Sequence, residues 1–163
     1  MQTEPLLQKL ADFRPTEPGR STLMHLDAAS GWTVAIDMEA ADALSVRVKE
    51  LTVSRKEPEQ PVSASNIREA AERISNRVTG LMEKLRLLEL DSERRQAILR
   101  SDSPTVRKDR RSHFELVLTG THRANLRRYE AAGDISSKRE QVPFSLTKEV
   151  FGMVLEDLTA ALQ

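Results

Sequence analysis

The sequence predicts one α+β domain, with an antiparallel sheet of meanders and hairpins packed against about three helices. Two patterns predict it. Apolar and polar residues alternate over 32–38, 44–53 and 113–129, as in half-buried strands, and recur at spacings of three and four over 67–88 and 151–162, as in amphipathic helices. A third observation sets the scale. The 163 residues, 39% hydrophobic and 31% charged, suffice for one core.

Residues 3–13 begin the chain as a short helix, with Thr3 as N-cap, Pro5 in the first turn and a stripe of Leu6, Leu7, Leu10 and Phe13. Two prolines and a glycine in Arg14–Gly19 stop it. Leu23–Leu26 is a short apolar stretch, and Ala28–Gly31 reads as a turn. Trp32, Val34, Ile36 and Met38 form one strand face. Leu44, Val46 and Val48 form another, continued by Leu51 and Val53 after a phase slip that a β-bulge explains. The expected product is a three-strand meander; Glu39–Ala43 also suits a helical turn. Residues 55–65 are polar and contain two prolines, and are read as a loop inside a single domain spanning 1–163.

The strongest helical pattern follows. Ser65 or Asn66 can cap it, with Glu69 in a capping box. Ile67, Ala71, Ile74, Val78, Leu81, Leu85 and Leu88 form a heptad seam, so the helix is expected over 66–88. Ile74, Val78, Leu81 and Leu85 are therefore candidates for an interaction seam, against the alternative that this helix packs on its own sheet. Residues 86–100 suit a hairpin around Asp91–Arg94, although Asp91 or Ser92 can also cap a helix. Ser101–Ser112 is expected to be a charged loop. In the next hairpin, pairing Leu116 with Leu126 and Leu118 with Ala124 sets Glu115 opposite Arg127. Gly133–Glu140 reads as a polar loop, and Val142–Leu146 as an extended piece placed at an edge by Pro143. Thr147 caps the last helix, whose face is Phe151, Val154, Leu155, Leu158 and Leu162.

Function is less legible. There are 25 basic and 25 acidic residues and no cysteine, which excludes disulfides, thiolate chemistry and Cys-ligated zinc and fits a cytoplasmic setting. No signal peptide or membrane-length apolar run is read, so no membrane partner is expected. Phosphate loops, dinucleotide glycine motifs, nucleophile elbows and zinc helices are missing, so no cofactor or metal is expected.

Three groups of residues carry weaker signals. Residues 94–128 hold ten basic residues against Asp102, Asp109 and Glu115, with Arg107, Lys108, Arg110, Arg111, Arg127 and Arg128 as candidate phosphate contacts; the alternative is a solvated, charge-balanced face. His25, His113 and His122 do not form a local metal pair, although His113 and Glu115 share a strand face. Glu89 and Asp91 share a face beside arginines, which suits an exposed ion-pair network better than acid–base catalysis. Ser101, Ser103 and Ser112 lack a base motif.

The order helix, three strands, helix, strands, helix resembles that of the small type III secretion chaperones, in coarse element order and without a shared motif. The resemblance implies a chaperone-like binding role. The chain departs from that group's acidic balance and carries extra strand signal between 88 and 129. The expectation is thus a non-catalytic protein-interaction or assembly module, chaperone-like or homodimeric through the 66–88 helix or a sheet edge. The alternative is a nucleic-acid-associated protein using 94–128, and an enzyme ranks third.

Overall fold

The computed structural model describes residues 1–13, 21–132 and 138–163. The chain runs α1 (Glu4–Asp12), β1 (Ser21–Asp27), β2 (Trp32–Ala41), β3 (Ser45–Ser54), α2 (Ala64–Arg77), β4 (Leu85–Asp91) and β5 (Gln96–Ser101). It continues through β6 (Thr105–Arg107), β7 (Arg110–Thr119), β8 (Arg123–Ala132), β9 (Glu140–Val142), β10 (Phe144–Thr147) and α3 (Lys148–Ala161). All strand pairs are antiparallel, and the main path of the sheet is β1-β2-β3-β8-β7-β5-β4. This is the α+β architecture that the two periodicities imply. The predicted stop at 14–19 and most of the 133–140 loop lie outside the described residues.

Alternation places the strands. Trp32, Val34, Ile36 and Met38 are buried on the helix side of β2, and the intervening residues face the other way. The phase slip in β3 is a bulge: Asp37 pairs with Glu50 but Met38 pairs with Val48, leaving Lys49 unpaired with β2. Residues 39–41 remain strand, and the turn comes only at Asp42, whose carboxylate accepts from the backbone N–H of Leu44 and Ser45. β4 and β5 form the hairpin around Asp91–Arg94, and Asp91 accepts from the Arg94 N–H at 2.9 Å. Leu116 pairs with Leu126, Leu118 with Ala124 and Glu115 with Arg127, the register that burial of leucines selects.

One strand expectation needs correction. Residues 101–112 are not all loop, since Thr105–Arg107 folds back on Arg110–Ser112 as a short hairpin. Pro143 lies between two strands that each pair on one side only, an edge position as expected, but within a split of the sheet and not at its outer rim. β3 and β8 pair only from Glu50–Arg127 to Ser54–Arg123 and then part. β9 pairs with β8 and β10 with β3, so Pro143 stands at the junction where the chain crosses from one to the other. A residue without an N–H suits that step, because no ladder bond is made there. The Gln141 side-chain amide donates to the bulge carbonyl of Lys49 at 2.9 Å.

The helices cover one sheet face, and one core cluster joins Trp32, Phe151, Leu6, Ile67, Leu99 and Leu116 with their neighbours. Thr3 is the N-cap residue of α1 as expected, but its side chain makes no cap bond; its hydroxyl donates to Glu156 at 2.6 Å and ties α1 to α3. Thr147 caps α3 as expected. The cap of α2 is Ser63 with Asn66 in a capping box, one turn from the sequence reading, which placed the reciprocal pair at Ser65 or Asn66 and Glu69. Ser63→Ala is expected to cost about 1 kcal/mol, read as a lower urea midpoint at unchanged slope; an unchanged midpoint would show the cap to be idle.

The largest correction is the extent of α2. It ends at Arg77, not Leu88, and Val78 has already left helical geometry. Gly80 passes α3 so closely that an added Cβ would lie 3.1 Å from Val154 and 3.2 Å from Val150. Met82 then takes a positive φ of 59° as the chain reverses. Leu85 belongs to β4, and the Ser75 hydroxyl donates to its carbonyl. Ile74, Val78, Leu81 and Leu85 are all buried within this chain's own core.

Candidate functional site

The basic residues of 94–128 do not converge. Arg127 and Arg128 are neighbours on β8, so they leave opposite faces of the sheet. Arg127 binds Glu50 at 2.9 Å on the open face. Arg128 binds Glu83 at 2.8 Å on the helix side, with its guanidinium 4.3 Å from the centre of the Phe114 ring. Arg107, Lys108, Arg110 and Arg111 do gather, at the exposed tip of the β6–β7 hairpin, where Arg110 is paired with Glu130 at 3.0 Å. Sequence density thus became one small basic tip and two separate ion pairs.

On the open face, charged residues line up across five strands: Asp37, Glu50, Arg127, Glu115 and Arg100 occupy one cross-strand row. Glu115 and Arg127 are opposite, as expected, yet each binds elsewhere. Glu115 holds Arg100 at 2.9 Å and Arg139 at 2.6 Å, while Arg127 turns to Glu50. Asn125 donates to Glu50 and to Thr52, at 2.6 and 2.8 Å. Burial pushes the Glu50 and Glu115 carboxyls up, but the donated hydrogen bonds outweigh it and hold both below the usual glutamate range. A depression of about 440 Å³ opens beside this row, lined by Gln96, Thr119, His122 and Arg123 among others.

The histidines serve separately. His113 stacks on Tyr129 with ring centres 6.0 Å apart, and burial lowers its pKa. His25 lies nearly buried on β1, its pKa lowered by burial and by Lys9. His122 sits in the β7–β8 turn over Gly120. Among the described residues, no three His, Asp or Glu side chains come together to hold a metal. Asp91 is occupied by its own turn and Glu89 is exposed, so the two are not an acid–base pair.

On the helix side, the buried Glu83 carboxylate accepts from Ser101, Thr105 and Arg128. Ser101 in turn accepts from the Phe114 N–H at 2.7 Å, and Ser112 accepts from Arg128 at 2.9 Å. Ser101 and Ser112 are therefore structural. Above them a groove of about 670 Å³ runs between residues 80–83 and β10, with Met82 fully exposed on its rim.

The two outer strands differ sharply, and sequence reasoning missed this because it did not establish which strands are outermost. β4 carries a bulge between Leu87 and Glu89 and exposes Arg86 and Glu89 together with Leu88. Bulges and charges are what natural sheets use to block unwanted pairing. β1 has no bulge and no exposed charge. It pairs with β2 without a break over seven residues, and its exposed side chains are Thr22, Met24 and Leu26. Met24 is 67% and Leu26 61% exposed. Its one acid turns inward: Asp27 accepts from the Gln2 and Ala29 N–H groups and from Ser30. Among the described residues, no strand pairs with the outer side of β1.

No helix is long and apolar enough to cross a membrane among the described residues. Compared with protein-family models, curated proteins and solved structures, the chain finds no match.

Proposed function

We propose that this protein is a non-catalytic interaction module that takes up an extended segment as an added strand on β1. One observation carries the reading: the β4 edge is bulged and carries exposed Arg86 and Glu89 beside Leu88, whereas the β1 edge is regular and its exposed side chains, Thr22, Met24 and Leu26, are uncharged. An added strand gains main-chain hydrogen bonds, and Met24 and Leu26 supply side-chain contact on the open face. The charged side chains elsewhere support this reading in part, because Arg100, Arg127 and Arg139 on the open face are already bound to carboxylates.

The test is recovery of partners from the native cell with tagged full-length protein, with and without nuclease, beside a Met24→Lys, Leu26→Lys double variant. Both positions are exposed, so the variant should fold. Defined proteins that survive nuclease and disappear with the double variant are expected. Partners retained by that variant would move the interaction away from β1. Nucleic acid as the main product would favour the basic hairpin tip at Arg107, Lys108, Arg110 and Arg111 instead.

A further inference from the structure

We propose that the segment added to β1 is β1 of a second copy of this chain, paired antiparallel about a two-fold axis near mid-strand, so that the two sheets run on as one. This inference rests on the strand-addition reading and names its partner. Four observations carry it.

Antiparallel pairing of identical strands is self-complementary, since each copy presents the same edge to the other. The edge must then be regular over the whole strand, and β1 is regular over all seven residues. Next, a two-fold pairing sets each side chain against a residue of the same strand, so an exposed charge near the axis would meet its like. Thr22, Met24 and Leu26 are neutral, and the one acid, Asp27, is turned inward and held by three donors. With the axis at Met24, the two Met24 side chains meet on the open face and Leu26 faces Thr22; with the axis at His25, Met24 faces Leu26.

Third, the open-face side chains of this strand, Thr22, Met24 and Leu26, are neutral, and a second copy brings the same neutral side chains to meet them. The chain as a whole has 25 basic and 25 acidic residues, so two copies approach without net repulsion. Finally, the sheet has two different edges. A β1–β4 contact would be head-to-tail and would propagate into a filament. The bulge and charges of β4 oppose that contact and leave the closed dimer.

The experiment is the mass of the purified full-length chain by sedimentation, from micromolar to hundreds of micromolar. Wild type is expected at twice 18.4 kDa, dissociating only on dilution. Met24→Lys with Leu26→Lys should weaken association at least about tenfold, because like charges then face each other across the two-fold. A Met24→Glu, Leu26→Glu chain should be equally weak alone. Mixing the two should restore a heterodimer, a readout that general surface damage does not give. Circular dichroism and melting confirm that each variant is folded.

A wild type monomeric throughout the range overturns the inference. If the cell-derived partners are nonetheless lost with the lysine variant, strand addition stands with a different occupant. A dimer that persists in both charged variants, without preference for the mixed pair, removes β1 from both proposals.

Discussion

Replacing Ile74 by aspartate is expected to unfold the chain rather than to release a folded monomer from an assembly. Ile74 is fully buried on α2, which packs on α3 and on β4, β5 and β7. Losing the aliphatic side chain alone costs about 2–5 kcal/mol. Burying an unpaired carboxylate adds several kcal/mol, offset only in part by its protonation. Domains of this kind are stable by about 5–15 kcal/mol in total, so the sum approaches or exceeds the whole margin. The readout is loss of the cooperative thermal transition and of dispersed amide resonances. Ile74→Ala is the milder companion: a folded protein with a lowered urea midpoint. A folded Ile74→Asp monomer, losing only its oligomeric state, would show that the seam faces a partner and that the packing described above is wrong.

That seam shows how far a sequence can be read. The spacing of Ile67, Ala71, Ile74, Val78, Leu81, Leu85 and Leu88 is a faultless heptad on paper. Only the first three stand on the helix, because periodicity records which residues are apolar and not whether one element carries them all. Gly80 was the available signal. It weakens a helix by about 1 kcal/mol relative to alanine, and here it lets the chain pass against Val150 and Val154. Strand register was more legible, since slipping the β7–β8 pairing by one residue would turn every leucine to the wrong face. The split between β3 and β8 was not legible, because Pro143 signals a missing N–H without saying what lies on either side. The basic segment failed differently: Arg127 and Arg128 are adjacent in sequence, and a strand sends adjacent residues apart. The contrast between β1 and β4 was written in residue types throughout, but it acquires meaning only once strand order makes those two strands the edges.

Glu83→Gln is expected to be the most damaging substitution of a polar residue in the molecule, at about 2–4 kcal/mol. The change keeps the shape of the side chain and removes its charge. Glu83 and Arg128 are only 8% and 16% exposed, so water cannot replace what Arg128 loses. The same carboxylate accepts from Ser101 and Thr105 and thereby fixes residues 80–84 to β5 and β6. The contact of Arg128 with the Phe114 ring does not involve Glu83, so the loss reports on the ion pair and its hydrogen bonds. The pH dependence separates this from simple loosening. Burial pushes the Glu83 carboxyl up, but the bonds from Ser101, Thr105 and Arg128 outweigh it and hold the pKa below the usual value. A carboxyl depressed on folding stabilises the protein fully above its unfolded pKa of about 4.3, and that contribution is lost as pH falls through the lower folded value. Glu50 and Glu115 act in the same window and the same sense. His25 and His113, kept neutral by burial, begin the acid loss earlier, as the unfolded chain takes up protons below about pH 6.5. Asp157, whose carboxyl burial pushes up, works in the opposite direction. Urea stability of the wild type should therefore decline in two stages, first below about 6.5 and then more steeply below about 4.3. Glu83→Gln should start lower at neutral pH and show a shallower second stage, with the first unchanged. Equal slopes in the second stage would show that folding does not lower the Glu83 pKa, and that the bonds from Ser101, Thr105 and Arg128 do not favour its charged form.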